Sequence, residues 1–326
     1  MKTRLTRRTF LATAGCIGGG LALGSRLAPS LLADDKPACL AVTCRDAILG
    51  ATKQPDLWSA LQAVEAEGVE LQVAEDLSLP GIFHPTKKYT LATTEGVEQL
   101  AADAKAAGQR ITGFCLANRF EERPKVEIKW CTQVARVAQT LSVPAIRLDV
   151  VPARLPKADF LKLAVAALRK IIALTESTGV AFGVENHGHT TNDPAFLNAL
   201  FKGVGSERLG LTLDTGNFYW YGHPLSKLYE LYETFAPRVV HTHCKSICFP
   251  AEEREKRRPI GWKYMEYTCP IDRGDIDFAR LVAILRKAGY HNDLCVEDES
   301  LGKFSGPAEV TQALVGEVQL LKRLRS

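Results

Sequence analysis

The 326 residues are 46% hydrophobic and 24% charged, which suits a large buried core and excludes disordered and collagen-like classes. The formal net charge of +4 gathers at the N-terminus, where Lys2, Arg4, Arg7, Arg8 and Arg26 lie in the first 33 residues with no acid among them. Without those five of the 41 basic residues, 36 face 37 acidic ones, so the remaining chain lacks the cationic field of a nucleic acid partner.

Taken in chain order, Thr6-Arg7-Arg8-Thr9-Phe10-Leu11 precedes an apolar stretch rich in alanine and glycine that runs to about Leu32. This pattern resembles a twin-arginine signal, which is read by the machinery that exports folded proteins. Arg26 and the many glycines speak against a lasting membrane span. The expected organisation is a signal peptide over 1–33, cleaved after Ala33, and one domain over 34–326 in the periplasm or another extracytoplasmic space. The nine cysteines are Cys16, Cys39, Cys44, Cys115, Cys131, Cys244, Cys248, Cys269 and Cys295, and none form a CxxC pair. Several fall in apolar runs, where cysteine behaves as a small hydrophobe. Export would permit disulfides, whose pairing the sequence leaves open.

From about residue 38 onward a β-rich run, a polar loop and a segment of helical period alternate. Strands are predicted at 39–43, 69–73, 111–116, 145–150, 180–184, 209–213, 239–243 and 293–296. The segment 159–174 carries Phe160, Leu163, Ala164, Ala167, Leu168 and Ile171 at helical spacing, one broad apolar face. Gly68, Gly108, Gly179 and Gly289 stand where helices are expected to end in the left-handed conformation. Eight such units point to parallel strands joined by helices, an α/β fold of the (β/α)8 TIM barrel type in a single domain. A doubly wound open sheet is the rival, and the first strand lacks the GxGxxG turn that would favour it. The charged excursion over 246–270 reads as a lid over the catalytic mouth.

In such a barrel the C-terminal ends of the strands face the catalytic mouth. The fifth strand ends in Glu185-Asn186-His187 and the sixth in Asp214-Thr215-Gly216-Asn217. The seventh reads His241-Thr242-His243 and continues to Lys245, and the eighth ends in Glu297-Asp298-Glu299. A buried carboxylate is costly unless it is paired or bound to metal. Glu185, Asp214, His243 and Glu297 together make a donor set for one divalent ion, Mn²⁺, Mg²⁺, Co²⁺ or Zn²⁺. Taken singly, Asp214 reads as a helix cap and Glu297 as the partner of a lysine. Of His241 and His243, only one is expected to look into the barrel.

Val184-Glu185-Asn186-His187-Gly188, Leu213-Asp214-Thr215-Gly216-Asn217 and His241-Thr242-His243-Cys244-Lys245 resemble the sugar phosphate isomerase/epimerase superfamily, the xylose isomerase-like TIM barrels. Asp272-Arg273-Gly274-Asp275-Ile276-Asp277-Phe278, with Val296-Glu297, is similar to the family's C-terminal signature. The resemblance covers about residues 38–320 and implies that Glu185, Asp214, His243 and Glu297 are metal ligands. Many members carry histidine three residues after the ligand aspartate. Asn217 stands there instead and cannot serve as an acid or base.

The expected activity is a metal-dependent isomerase or epimerase acting on a sugar or keto-sugar through an enediolate. Glu185 and Glu297 are its expected catalytic acid/base residues, and His187, Asn217, Lys245 and Trp262 bind substrate. Trp220 and Tyr221 are further candidates for the walls of a sugar pocket. Two alternatives use the same residues: a metal-dependent lyase or dehydratase on a keto-sugar or oxidised glycoside, and a non-catalytic exported sugar-binding barrel. A multi-metal hydrolase is disfavoured, because the chain has only seven histidines. The expected partners are a small carbohydrate and the export machinery, and assembly into a homo-oligomer is left open.

Overall fold

Parallel neighbours need a crossover of a dozen or more residues, which a helix fills. The computed structural model describes residues 40–325, so the signal-like segment 1–33, Cys16 and Cys39 lie outside the described residues. Its strands are β1 (Ala41–Arg45), β2 (Gly68–Gln72), β3 (Arg110–Leu116), β4 (Ala145–Leu148), β5 (Ala181–Glu185), β6 (Leu209–Asp214), β7 (Val239–His243), β8 (Ser246–Ile247), β9 (Thr268–Cys269) and β10 (Asp293–Val296). Eight of them pair in parallel in the order β10-β1-β2-β3-β4-β5-β6-β7. A bridge between Cys244 and Val296 joins β7 to β10, with Cys244 N donating to Cys295 O at 2.6 Å and Glu297 N to Cys244 O at 3.0 Å. The sheet thus comes round into the predicted (β/α)8 barrel, with strand boundaries within two residues of those expected.

Side chains alternate across each strand. One set, including Val42, Leu71, Phe114, Ile146, Phe182, Leu211 and Val296, belongs to the apolar core beneath the helices. The helix Lys157–Leu174 buries Phe160, Ala164, Ala167, Leu168 and Ile171, the face read from its period. Complete burial of Phe160 or Ile171 contributes about 1.5–3 kcal/mol each. The other set turns into the barrel and is strongly polar, including Glu70, Arg147, Glu185, Asp214, His241 and Asp293, all buried. Among the described residues seven cysteines are free, five of them buried.

Gly108, Gly179 and Gly289 take positive φ as expected. Gly68 does not: it opens β2, where a Cβ would lie 2.5 Å from the Arg110 carbonyl oxygen. Close strand approach, and not helix termination, requires the missing side chain there.

The excursion after β7 is built. β8 and β9 pair antiparallel at its base. Phe249, Trp262 and Tyr267 pack ring to ring with centroids 5.6–5.7 Å apart. The Arg258 guanidinium lies over the rings of Phe249 and Tyr219, 4.3 and 4.5 Å from their centroids.

Asp46, just after β1, shows how tightly the strand ends are packed. Its Oδ2 accepts from Gln72 N at 2.7 Å, while Oδ1 has no hydrogen-bond partner. A Cβ on Gly81 would stand 2.0 Å from Oδ2, so only glycine fits there. Burial pushes the Asp46 carboxyl up from 3.8 to about 6. Its folded value exceeds its unfolded one, so the stability linked to this proton is complete below pH 3.8 and lost as pH rises through about 6. Asp46→Asn keeps the acceptor for Gln72. It is expected to gain up to about 3 kcal/mol at pH 8 and almost nothing at pH ~4, measured by urea unfolding. An equal gain at both pH values would refute this account.

Candidate metal centre

Four strands deliver the four predicted ligands to one place. Glu185 ends β5, Asp214 ends β6, His243 ends β7, and Glu297 follows β10. One donor atom from each lies within 4.8 Å of the others, and all four residues are buried. Three carboxylates this close repel one another unless cations intervene.

The two glutamates divide their oxygens in the same way. Glu185 Oε1 lies 3.2 Å from His243 Nδ1, and Glu297 Oε2 lies 3.3 Å from it. Their outer oxygens are held by arginines. Arg147 Nε donates to Glu185 Oε2 at 2.6 Å, its Nη2 forms a second contact there, and Arg45 Nη1 pairs with Glu297 Oε1. Asp214 also divides its carboxylate. Oδ1 accepts the amides of Gly216 and Asn217 at 2.9 and 2.8 Å, while Oδ2 makes no geometric hydrogen bond and faces Lys245 Nζ at 2.8 Å. Oδ1 thus serves the turn into the short helix Asn217–Trp220, whose N-cap position is taken by Gly216 and not by Asp214, while Oδ2 faces the cluster. Lys245 also pairs with Glu297 at 3.4 Å, as the alternative reading of that residue anticipated.

Burial alone would raise Glu185, but the Arg147 charge and the bond from His243 carry it well below the usual carboxylate range. Glu297 follows the same course under His243, Lys245 and Arg45. Burial pushes Asp214 the other way, to about 7, with Glu185 and Glu297 adding to the rise against Lys245. Despite burial, Glu297 and Glu70 hold the His243 imidazole toward its charged form. The donor set suits a divalent cation: three carboxylates and one imidazole, with one donor atom of each within 4.8 Å of the others.

The remaining predicted residues are distributed unevenly. Asn217 Nδ2 reaches Glu185 Oε1 at 3.4 Å, and Lys245 lies inside the cluster. His187 stands at the rim, its Nδ1 3.1 Å from Asp149 Oδ1, beside a cleft of about 260 Å³ lined by Asn118, Asp149 and Val151 among others. Trp262 packs in the aromatic stack of the excursion. Trp220 sets its edge against His189 with ring centroids 6.0 Å apart, and Tyr221 lies under Arg257. The excursion reaches the cluster through Tyr264, whose hydroxyl donates to Glu299 Oε2 at 2.6 Å while Lys245 holds Oε1 at 2.7 Å. A larger cavity of about 700 Å³ opens at the opposite end of the strands among Lys105, Arg110 and His291, the face of a barrel associated with stability.

One expectation is corrected. His241 and His243 both point into the barrel, with ring centroids 5.4 Å apart and both side chains buried. Residues two apart on a strand share a face, so the period brings the pair together. Reading only strand ends also missed Arg45, Glu70 and Arg147. Glu70 and Arg147 lie within β2 and β4, each flanked by apolar residues, and a lone charge in such a run was the available signal.

Glu70 has a definite place here. His243 Nε2 donates to its Oε2 at 2.9 Å, which turns Nδ1 toward Glu185 and Glu297. Carboxylates of this kind orient a ligating histidine. Glu70→Gln is expected to weaken Mn²⁺ binding about 10–100-fold with the fold retained, as read by calorimetric titration. Unchanged affinity would exclude the orienting role.

The comparisons agree with this architecture. No curated protein matches the chain. Among solved structures, IOLI with a zinc atom is 17% identical, covering 86% of this chain and 98% of that one at TM-score 0.65. A xylose isomerase-like TIM barrel protein from Mycobacterium smegmatis in complex with magnesium is 14% identical, covering 88% and 98% at TM-score 0.62. The E. coli 3-keto-D-glucoside 4-epimerase YcjR, in its apo form, is 15% identical, covering 87% and 99% at TM-score 0.60. These likenesses concern the fold. The model of the xylose isomerase-like TIM barrel family matches residues 58–323, and the chain belongs to that family.

Proposed function

We propose that this protein is a divalent-metal-dependent isomerase or epimerase acting on a sugar or keto-sugar. The observation that carries the proposal is the convergence of Glu185, Asp214, His243 and Glu297 on one point at the mouth of the barrel. When bound, a Mn²⁺, Mg²⁺, Co²⁺ or Zn²⁺ ion would polarise the carbonyl and adjacent hydroxyl of the substrate and favour the enediolate. The protein's own groups supply the rest. Glu185 and Glu297 turn their inner oxygens to the centre, so proton transfer falls to the outer ones, which Arg147 and Arg45 hold ionised. One glutamate takes the proton next to the carbonyl as its arginine yields, and the other, after drawing a proton from solvent, returns it on the opposite face or the neighbouring carbon; the first then gives its proton back to solvent. Asn217 and Lys245 orient hydroxyls near the centre, His187 does so from the rim, and Trp262 walls the side of the excursion. The neighbouring epimerase YcjR and the zinc and magnesium neighbours support this reading.

Export through the twin-arginine machinery, with residues 1–33 as signal, is part of the proposal. It favours an unphosphorylated sugar met outside the cytoplasm. Replacing Arg7 and Arg8 by lysine should retain the protein in the cytoplasm on cell fractionation.

The test is to load the full-length chain with Mn²⁺ and incubate it with keto-sugars in heavy water. Deuterium entering next to the carbonyl, with the product isomeric with the substrate, is the expected result. Loss of water from the product would establish the lyase. Tight sugar binding with no exchange on any keto-sugar would leave only the binder.

A further inference from the structure

Deeper in the barrel lies a second cluster that the proposed reaction does not use. Glu70 on β2, His241 on β7 and Cys295 on β10 each offer one donor atom, the three atoms lie within 4.8 Å of one another, and all three residues are buried. Asp293 accepts from His241 Nδ1 at 2.9 Å. This fixes the tautomer and leaves Nε2 facing Glu70 Oε1 at 3.1 Å. The two atoms form an ion pair inside the cluster, and both residues are fully buried. A carboxylate, an imidazole and a thiol with donor atoms this close and shut away from water form a mixed donor set of the kind that holds a zinc-class ion. Gly113 keeps the space tight, since a Cβ there would lie 3.1 Å from His241 Cε1 and 3.3 Å from Glu70 Cγ.

We propose that Glu70 Oε1, His241 Nε2 and Cys295 Sγ hold a second divalent ion, of the zinc class, in a buried three-donor site. The donor chemistry differs from that of the first centre. Thiolate, imidazole and carboxylate select Zn²⁺ or Co²⁺ over Mg²⁺ and Mn²⁺, which prefer oxygen. Asp293 stands to His241 as a carboxylate stands to a zinc-bound histidine, holding the nitrogen that does not ligate. On uptake the Cys295 thiol and the Nε2 of His241 each release a proton to solvent, while His241 keeps the Nδ1 proton it gives to Asp293. The ion would tie β2, β7 and β10 together. Because Glu70 Oε2 accepts from His243, the two sites share one carboxylate.

The test reads metal binding and not turnover, so its outcome is independent of the proposed reaction. Chelator-stripped full-length protein is titrated with Co²⁺ and followed by absorbance and metal analysis. A sulfur-to-cobalt charge-transfer band in the near ultraviolet and about two ions per chain are expected for the wild type, falling to about one ion and no band in Cys295→Ser. Asp214→Asn, which disables only the first centre, should keep the band. Absence of the band in the wild type would overturn the proposal and leave His241 as an ion pair between Asp293 and Glu70. A band that survives in Cys295→Ser would overturn it equally. Circular dichroism confirms that each variant is folded.

Discussion

Asp214→Asn is expected to leave the barrel folded and to weaken divalent-ion affinity by more than about 100-fold, since changes outside the ligand set already cost 10–100-fold. The asparagine oxygen can still accept the Gly216 and Asn217 amides, so the turn after β6 keeps its hydrogen bonds. The other arm becomes an amide group that donates and cannot ligate, at the position where Oδ2 faces the cluster. Burial holds Asp214 at about 7 in the ion-free chain, so protons compete with the ion at this ligand. Wild-type affinity should therefore fall as pH drops from 8 to 6, and the variant should lose part of that slope. Titration calorimetry with Mn²⁺ at both pH values reads both effects. Wild-type affinity in a folded Asp214→Asn chain would remove Asp214 from the ligand set.

The second large effect concerns stability. Arg147→Met should destabilise the ion-free chain by about 3–5 kcal/mol, the usual consequence of removing one partner from a buried ion pair. The Arg147 and Glu185 side chains are only 7% and 3% exposed, so water cannot replace the lost guanidinium. Arg147 Nη1 also donates to the Leu116 carbonyl at 3.1 Å, a bond that methionine cannot make. Methionine fills similar space and leaves the Glu185 carboxylate without its main compensating charge. A divalent ion at the centre would supply part of that charge. The difference from wild type in urea unfolding should accordingly shrink when Mn²⁺ saturates both proteins. The same loss with and without the ion would mean that Arg147 acts through packing.

The four residues that converge were legible because each strand changes from apolar to ionisable at a countable position. Val184-Glu185, Leu213-Asp214 and Val296-Glu297 mark the end of three buried runs without reference to any other part of the chain. The arginines were not legible in the same way. Arg147 pairs in register with Gly183, yet its guanidinium reaches Glu185 two residues further along the neighbouring strand. Likewise Glu185 pairs with Thr212, while the residue that converges with it is Asp214. Strands in a closed barrel tilt and stagger, so residues at one height in the interior are not those at one register. Similarly, Tyr264 reaches Glu299 while Trp262 joins the aromatic stack. The fold of the excursion decides this, and periodicity has no hold on so irregular a segment.

The sequence by itself determined the repeating unit, the parallel pairing it entails and the four donors at the strand ends, because period and strand termination are local properties of the chain. The tertiary structure alone decided which charges neutralise those donors. It set Arg45 against Glu297, Arg147 against Glu185 and Glu70 against His243. The physical reason is closure of the ring: it brings β10 beside both β1 and β7 and places charges distant in sequence within hydrogen-bond reach, most of them shielded from water.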